Sequence, residues 1–550
     1  MAVSKKMVNS ISQMAVKVFA FQTINLKPQT SNPEPVNCYL QSMPYICLMQ
    51  NITEAIRELY IKWKGEEPVS LEVLPQSGSE RRYFRIYDNH QSVIGTYGAN
   101  IKENETFIYF SKQFRQKELA IPEILAISND KQYYLQEDFG AISLLNKLEE
   151  GGFTQPVYNL FKKSLQALAM LQVKGDNGLD YEQCLTNKEF GKQAIMADLL
   201  YFKYYFLDAL RKPYDKQKLM DDFEALSNYL THTEYKYFMF RDFQSRNVMV
   251  KQTVSEDTNL GSRGDANSGS TVHFIDYQGG MKGAPQYDVA SMLWQARANL
   301  PDEWKYNLLE DYIDAFEDTI GQSVNRNIFQ NQYNGYVLIR LLQVLGAYGF
   351  RGLFERKAQF LTSIPLALKN LKDFFQHQRI GIVVPEFNKV LNLCVADEVI
   401  QQFTPVQASE NTPLVIKIKS FSYRNGVPAD DSGNGGGFVF DCRGILNPGR
   451  IDSMKTQTGR DKEVKDYLEQ QTKMTEFLNS TFDIVDISVE DYIKRNFESL
   501  SISFGCTDGQ HRSVYAADAL TRHLKNKFKV KIELNHLTQD AKNWINTPSP

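Results

Sequence analysis

The 550-residue chain has little of what marks a specialised class. Its six cysteines (Cys38, Cys47, Cys184, Cys394, Cys442 and Cys506) include no C-x-x-C pair, which excludes a zinc ribbon and argues against a disulfide framework. A reducing cytoplasm is the simplest setting for such usage. No uninterrupted apolar run reaches the roughly 18 residues that a membrane-spanning helix needs. A net charge of −3 gives no global attraction to nucleic acid or to an anionic membrane, so any polyanion site must be local. Internal repeats are also missing. What the chain does have is length and 42% hydrophobic residues, enough for at least two separate cores.

The first 33 residues carry four lysines and no acid, and the Pro, Ser and Asn content of 27–37 predicts a disordered leader over 1–50. Folded structure is expected from Asn51, where "NITEAIRELYIKW" opens with cap-like residues and continues at helical spacing. "SLEVLPQSGSERRYFRIYDNHQSVIGTYG" reads as three short strands, "NETFIYFSKQFRQ" as a helix, and "YYLQEDFG" as a strand. Long helical stretches over 155–231 and 301–376 follow, so a small mixed lobe on a larger helical one is predicted for 51–403. The polar segment 251–271 reads as an exposed loop between two strands, and 404–412 as a linker. Beyond it, 413–545 alternates strands with helices in an α/β pattern.

Two constellations carry chemistry. In "YFMFRDFQSRNVMV", Asp242 and Asn247 stand five residues apart between apolar runs; in "VHFIDYQGG", Asp276 ends a strand ahead of two glycines. Phosphoryl transfer asks for a carboxylate to orient and deprotonate the acceptor hydroxyl and for oxygen ligands to magnesium, which R-D-x-x-x-x-N and a strand-end Asp supply. An enlarged hairpin turn between the segments would bring both acids to one strand end.

These segments, with "SERRYFRI", "LQEDFG" and "IDYQGGMKGAPQYDVASMLWQAR", resemble the aminoglycoside phosphotransferase and choline kinase superfamily, and within it the anomeric kinases of N-acetylmuramate and N-acetylglucosamine. The resemblance runs from about Asn51 to Asn392. It implies an α+β bilobal kinase-like fold that uses ATP and Mg2+, with Asp242 as base, Asn247 and Asp276 as metal ligands, and Arg241 and Asp288 supporting the loop. Ser77, Gly78, Ser79 and Arg82 are candidate nucleotide contacts, or else solvated hairpin residues. Glu105 is a candidate for the helix glutamate of kinases, or else a surface charge. Two departures stand out: "SVIGTYG" offers no lysine for the nucleotide phosphates, and Gln244 occupies a position where the sugar kinases tend to carry His.

The second constellation is "FGCTDGQHRSV", residues 504–514, between a strand and an amphipathic helix. Its C-x-x-G-x-x-R-S spacing is that of cysteine phosphatases, which would make Cys506 a nucleophile. A Gly-containing loop at a helix N-terminus is equally an anion cradle, because free N–H groups and the helix dipole face the ligand. With "SFSYRNGVPADD", "FVFDCRGILNPGR" and "TGRDKEVKDYL", the stretch resembles the C-terminal domain of the RapZ adaptors, over roughly 413–538. That resemblance implies a small α/β domain binding a phosphosugar such as glucosamine-6-phosphate through Arg443, Asn447, Cys506, Thr507, Gly509, His511, Arg512 and Ser513. Arg443 has a structural ion pair as its alternative role. The adaptors also bind RNA and assemble into homo-oligomers. Here Gly449 stands where they carry His, and Asn411 to Pro550 holds 19 Lys and Arg against 18 Asp and Glu, so RNA binding has weak electrostatic support. The cluster Arg522, Lys525, Lys527, Lys529 and Lys531 reads first as a solvated edge.

The expectation is a cytoplasmic ATP-dependent kinase of an N-acetylated amino sugar with a phosphosugar-binding regulatory domain. The alternatives are a catalytically weak kinase-like adaptor for RNA or protein, and a C-terminal cysteine phosphatase.

Overall fold

The computed structural model describes residues 43–74, 81–252, 269–355, 358–404, 406–430, 433 and 436–541. Helix α1 (Met43–Lys64) starts eight residues before Asn51, and the rest of the expected leader lies outside the described residues. Asn51 is not its cap, because the helix runs through it. Ile52, Ile56, Leu59 and Tyr60 recur at helical spacing and are buried. Ile56 packs so closely on Gly95 that a Cβ there would lie 2.7 Å from Ile56 Cγ2.

Gly95 belongs to an antiparallel sheet of β1 (Ser70–Val73), β2 (Arg82–Tyr87), β3 (Ser92–Tyr97), β4 (Ile124–Ile127) and β5 (Tyr133–Glu137), in the order β1-β2-β3-β5-β4. Between β3 and β4 lies α2 (Ile101–Arg115), capped by Asn100, with Phe107, Phe110 and Phe114 turned into the core. The three strands and helix read from the sequence are present, and β4 is additional.

The helical body follows: α3 (Leu144–Gly151), α4 (Gln155–Asp176), α5 (Lys192–Phe202) and α6 (Lys216–Thr231). It is interrupted by β6 (Tyr237–Met239), β7 (Val248–Gln252), β8 (Ser270–Phe274) and β9 (Met281–Gly283). β6 pairs with β9, and β7 with β8, both antiparallel. Then come α7 (Gln286–Leu293), α8 (Asp302–Ile320), α9 (Arg326–Tyr348), α10 (Ala358–Leu361), α11 (Ile364–His377), α12 (Pro385–Cys394) and α13 (Asp397–Phe403). The continuous segment Arg326–Phe354 is long and apolar enough to cross a membrane. Its Tyr336, Val337, Ile339 and Leu342 are instead buried in the core of the helical body.

The stretch read as a linker is partly docked, since Ala408 N–H donates to the Phe528 carbonyl at 2.7 Å. The C-terminal domain contains β10 (Val415–Ser422), β11 (Phe438–Asp441), α14 (Lys462–Gln471), α15 (Met474–Lys494), β12 (Ser499–Cys506), α16 (Arg512–Phe528), β13 (Lys531–His536) and α17 (Leu537–Ala541). Its four strands are all parallel, in the order β11-β12-β10-β13. The central β12 is buried on both faces and reads as the apolar run "SISFGC", whereas β11 and β13 alternate with exposed positions. The fold is therefore α+β, followed by a small α/β domain.

Candidate active site and C-terminal cradle

The β7–β8 hairpin sets the first site. Asn247 immediately precedes β7 and Asp276 follows β8 by two residues, and Ile275 N–H donates to the Asn247 carbonyl at 3.1 Å. Asn247 Nδ2 donates to the Asp242 carbonyl at 3.0 Å and stands 3.5 Å from Asp276 Oδ2. The three residues expected to act together thus meet at one end of one hairpin.

Asp242 is surrounded by donors. Gln244 Nε2 reaches Oδ1 at 2.8 Å, the Arg340 guanidinium Oδ1 at 2.9 Å, and that of Arg246 Oδ2 at 3.0 Å. Burial pushes the Asp242 carboxyl up, but Arg340 and Arg246 outweigh it and hold the group below the usual carboxylate range. It is therefore a charged, oriented acceptor at neutral pH.

The loop around it is fixed from beneath. Arg241 has φ +80° and Asp276 φ +70°, conformations that cost a non-glycine residue about 1 to 3 kcal/mol unless the surroundings impose them. Asp288, fully buried on α7, accepts from Phe240 N–H at 2.8 Å, Arg241 N–H at 2.9 Å and Gln172 Nε2 at 2.9 Å. The Arg241 side chain grips both Asp198 oxygens at 3.0 Å and lies over the Phe190 and Tyr287 rings. On the other strand end, Tyr277 stacks on Phe107 of α2 with centroids 4.8 Å apart.

The two glutamates of α2 divide differently from expectation. Glu105 lies on the solvent side, 45% exposed and ion-paired with Lys131, the place its alternative reading as a surface charge describes. Glu103, half a turn away, accepts from Gln278 at 3.3 Å, and Gln278 also donates to Asp276 at 2.8 Å. Arg81 Nε stands 3.3 Å from the same Glu103 oxygen. A buried arginine beside β2 thus meets a helix carboxylate, in a sheet whose β3 carries no lysine. Arg82 is half-buried in register with Tyr97. Ser77, Gly78 and Ser79 lie outside the described residues. Residues the sequence pattern did not single out are Arg81, Glu103, Gln278, Asp198 and Arg340.

Among the described residues, no group of three or more His, Cys, Asp or Glu converges on a metal position. Asn247 and Asp276 nevertheless offer a carboxamide and a carboxylate oxygen, the hard donors that suit Mg2+, an ion that commonly keeps several waters and uses few protein ligands.

The C-terminal constellation sits at the carboxyl ends of β10 and β12, where Ser422 and Cys506 are register partners. This is where open parallel sheets bind ligands. Gly509 has φ +64°, and a Cβ there would lie 2.9 Å from Ser422 N, so the loop lies flat on β10. Ser422 Oγ donates to the Thr507 carbonyl at 2.7 Å. Cys506 is 2% exposed, with Sγ 3.2 Å from Ser513 Oγ in the first turn of α16. His511 is buried against the Met454 carbonyl, and burial lowers its pKa.

Arg512 differs from the expected phosphate fork. It is 4% exposed, and Nη1 donates to the carbonyls of Arg443 at 3.2 Å and Ile445 at 2.7 Å, with Nη2 on Thr507 Oγ1 at 3.3 Å. Arg443 is half-exposed, ion-paired to Asp441 at 2.7 Å and stacked over Tyr423 at 3.8 Å. Asn447 accepts from Gly449 N–H and so caps its own turn. In the basic cluster, Lys527 is taken up by Asp486 at 2.7 Å. The four described cysteines, Cys184, Cys394, Cys442 and Cys506, are free and buried.

An antiparallel sheet leading into a helical body, with paired acids at a hairpin end, is followed in the same chain by a second, parallel α/β domain. Residues 414–540 match the RapZ C-terminal domain, and the chain belongs to that family through them. It is 36% identical over 160 residues to a nucleotide-binding protein of Endomicrobium trichonymphae, covering 29% of this chain and 54% of that one. With the nucleotide-binding protein FN1089 of Fusobacterium nucleatum it is 30% identical over 209 residues, 36% of this chain and 69% of that one. The chain spans about half the length of the first of these curated relatives. Among solved structures it is similar to choline kinase from Cryptosporidium parvum, 13% identical with a TM-score of 0.41 over 62% of this chain and 99% of that one. It is similar also to an ethanolamine kinase of Plasmodium vivax, 11% identical with a TM-score of 0.40 over 68% of this chain and 95% of that one.

Proposed function

We propose that the chain transfers the γ-phosphoryl group of ATP to a hydroxyl of an N-acetylated amino sugar, and that its C-terminal domain binds a phosphosugar. The observation that carries the first part is the meeting of Asp242, Asn247 and Asp276 at one hairpin end, over a loop clamped by Asp288. Asp242 orients the acceptor hydroxyl and takes its proton as the oxygen bonds to phosphorus and ADP departs. Asn247 and Asp276 would hold Mg2+, which supplies charge neutralisation at the phosphates when bound. The Arg81–Glu103 pair supplies a fixed cation on the sheet side of the site. For the amino-sugar class, the support is the resemblance of "FRDFQSRNVMV" and "IDYQGG" to sugar kinases, together with the fused RapZ-type domain.

For the C-terminal domain, the buried Cys506 lacks the exposure a nucleophile needs, which favours a cradle over a phosphatase. Arg512 then acts by holding the 443–445 segment against the loop.

ADP release across a panel of sugars, aminoglycosides and choline tests the first part. Turnover of an N-acetylated amino sugar is expected, and Asp242→Asn should lower it about 10²- to 10⁴-fold. Wild-type turnover by that variant would refute the assigned base. Calorimetric titration with glucosamine-6-phosphate tests the second part, with binding expected for the wild type and lost in Arg512→Ala. A wild-type chain that takes up none of it sinks the cradle.

A further inference from the structure

We propose that Arg81 takes the place of the lysine that β3 lacks and binds the polyphosphate of the nucleotide. The proposal rests on the kinase reading above and adds to it the side chain that holds the nucleotide from the sheet. In kinases that cation is a lysine on the third strand, paired with a glutamate of the following helix. Here the glutamate is present and the cation reaches it from a different strand.

The two faces of β3 can be told apart. A Cβ on Gly95 would lie 2.7 Å from Ile56 Cγ2, so Gly95 faces α1. Successive strand residues alternate, so Thr96 faces the other way, toward α2. Its register partners are Tyr83 on β2 and Tyr134 on β5, and Tyr134 packs on Phe107 of α2 with ring centroids 5.5 Å apart. Thr96 thus holds the position from which a β3 side chain would reach α2, and it is uncharged and buried. Arg81 arrives at the same place from the start of β2. It lies two residues before Tyr83 and shares that residue's face, with its guanidinium 5.6 Å from the centre of the Phe107 ring. Its Nε stands 3.3 Å from Glu103 Oε1, one turn of α2 before Phe107.

Glu103 ties this cation to the other end of the site. The oxygen that faces Arg81 also accepts from Gln278 Nε2 at 3.3 Å, and the same amide donates to Asp276 at 2.8 Å. Arg81, Glu103, Gln278 and Asp276 therefore form one chain of contacts from the sheet to the carboxylate that would hold Mg2+. Within that chain two carboxylates meet one guanidinium, so Arg81 carries the only positive charge that can attract a phosphate. At 4% exposure such a charge is costly to keep without partners, and Glu103 holds it in one orientation. A guanidinium presents five donors in a planar fork, which lets it serve a carboxylate and phosphate oxygens together. A lysine at position 96 would offer a point charge there; Arg81 offers a fork fixed against an aromatic ring.

The test measures binding of ATP, ADP and adenosine to the full chain by calorimetry in the presence of Mg2+. Arg81→Gln should weaken ATP and ADP by about tenfold or more, the value of a lost charge-assisted hydrogen bond, and adenosine by less than about twofold. Removing the cation alone strands the Glu103 charge, so Arg81→Met/Glu103→Gln, which removes both charges together, is measured beside it with the same expectation. A variant that melts cooperatively and binds ATP as tightly as the wild type, or loses adenosine as much as ATP, would make Arg81 a structural ion pair. Either result overturns the proposal and leaves the kinase reading intact. A wild-type chain that binds neither ATP nor ADP would sink the kinase reading itself, and the proposal with it.

Discussion

Asp288 offers the sharpest test of how the loop bearing Asp242 is held. Its Oδ2 accepts from Phe240 N–H and Gln172 Nε2, and its Oδ1 from Arg241 N–H. Burial pushes the carboxyl up to about 7, against these donors, which favour its charge. The folded-state pKa is therefore above the unfolded value of about 3.9, so folding takes up a proton between these limits. The stability this group contributes is fully present below about pH 4 and is lost as pH rises through about 7. Asp288→Asn cannot titrate. Between pH 5 and 7, wild-type unfolding free energy should fall relative to the variant by about 1.4 kcal/mol per unit, approaching 3 kcal/mol in all. The substitution also places an NH₂ group against at least one N–H donor, a further cost of about 1 to 3 kcal/mol at every pH. Urea unfolding followed by tryptophan emission measures both effects, because Trp294 against Phe374 and Trp304 against Tyr158 report on the helical body. Parallel pH profiles for the two proteins would refute the raised pKa. Equal stability at pH 8 would refute the role of Asp288 in clamping the strained Arg241.

Glu103→Gln should raise KM for ATP by about tenfold, the value of a charged hydrogen bond of about 1.5 kcal/mol, and Glu105→Gln by less than twofold. Steady-state titration of ATP separates them, and the reverse order would restore Glu105 to the site. In the C-terminal domain, burial tends to raise the Asp518 carboxyl, but bonds from His536 and Arg460 hold it at about 2. This group's stability is present above about pH 4 and lost as pH falls to about 2. Wild-type unfolding free energy should therefore drop by about 2 kcal/mol relative to Asp518→Asn across that window, read by circular dichroism in urea. No relative change would remove the Arg460–Asp518 pair from the stability of this domain.

The parts of the site legible in the sequence were those fixed by short-range spacing. Asp242 and Asn247 are joined by a five-residue loop, and Asp276 is brought in by a single hairpin, so local pattern was enough. Arg340 reaches Asp242 across nearly a hundred residues, and only the packing of α9 reveals it. Glu103 was within reach of pattern reasoning. It lies four residues before Phe107, whose apolar stripe faces inward, whereas Glu105 falls on the opposite face. The Arg81 and Arg82 doublet is divided in the same way, because one residue's shift along an extended chain reverses the side-chain direction.

The phosphatase-like spacing at Cys506 shows the reverse case, in which local pattern is present but its parts are used otherwise. A phosphatase loop needs an accessible sulfur and an arginine fork open to the ligand. Here the sulfur is buried against Ser513, and Arg512 Nη1 is committed to two main-chain carbonyls. The exposed cations at the rim are Arg443 and Arg424, each already paired, with Asp441 at 2.7 Å and Asp508 at 3.0 Å. A phosphate entering this loop must compete with those two carboxylates for its cations. The loop amides and the α16 N-terminus then provide the attraction that is not already neutralised. Binding of that kind would be reversible and salt-sensitive, which fits the proposed phosphosugar-binding role better than phosphate cleavage.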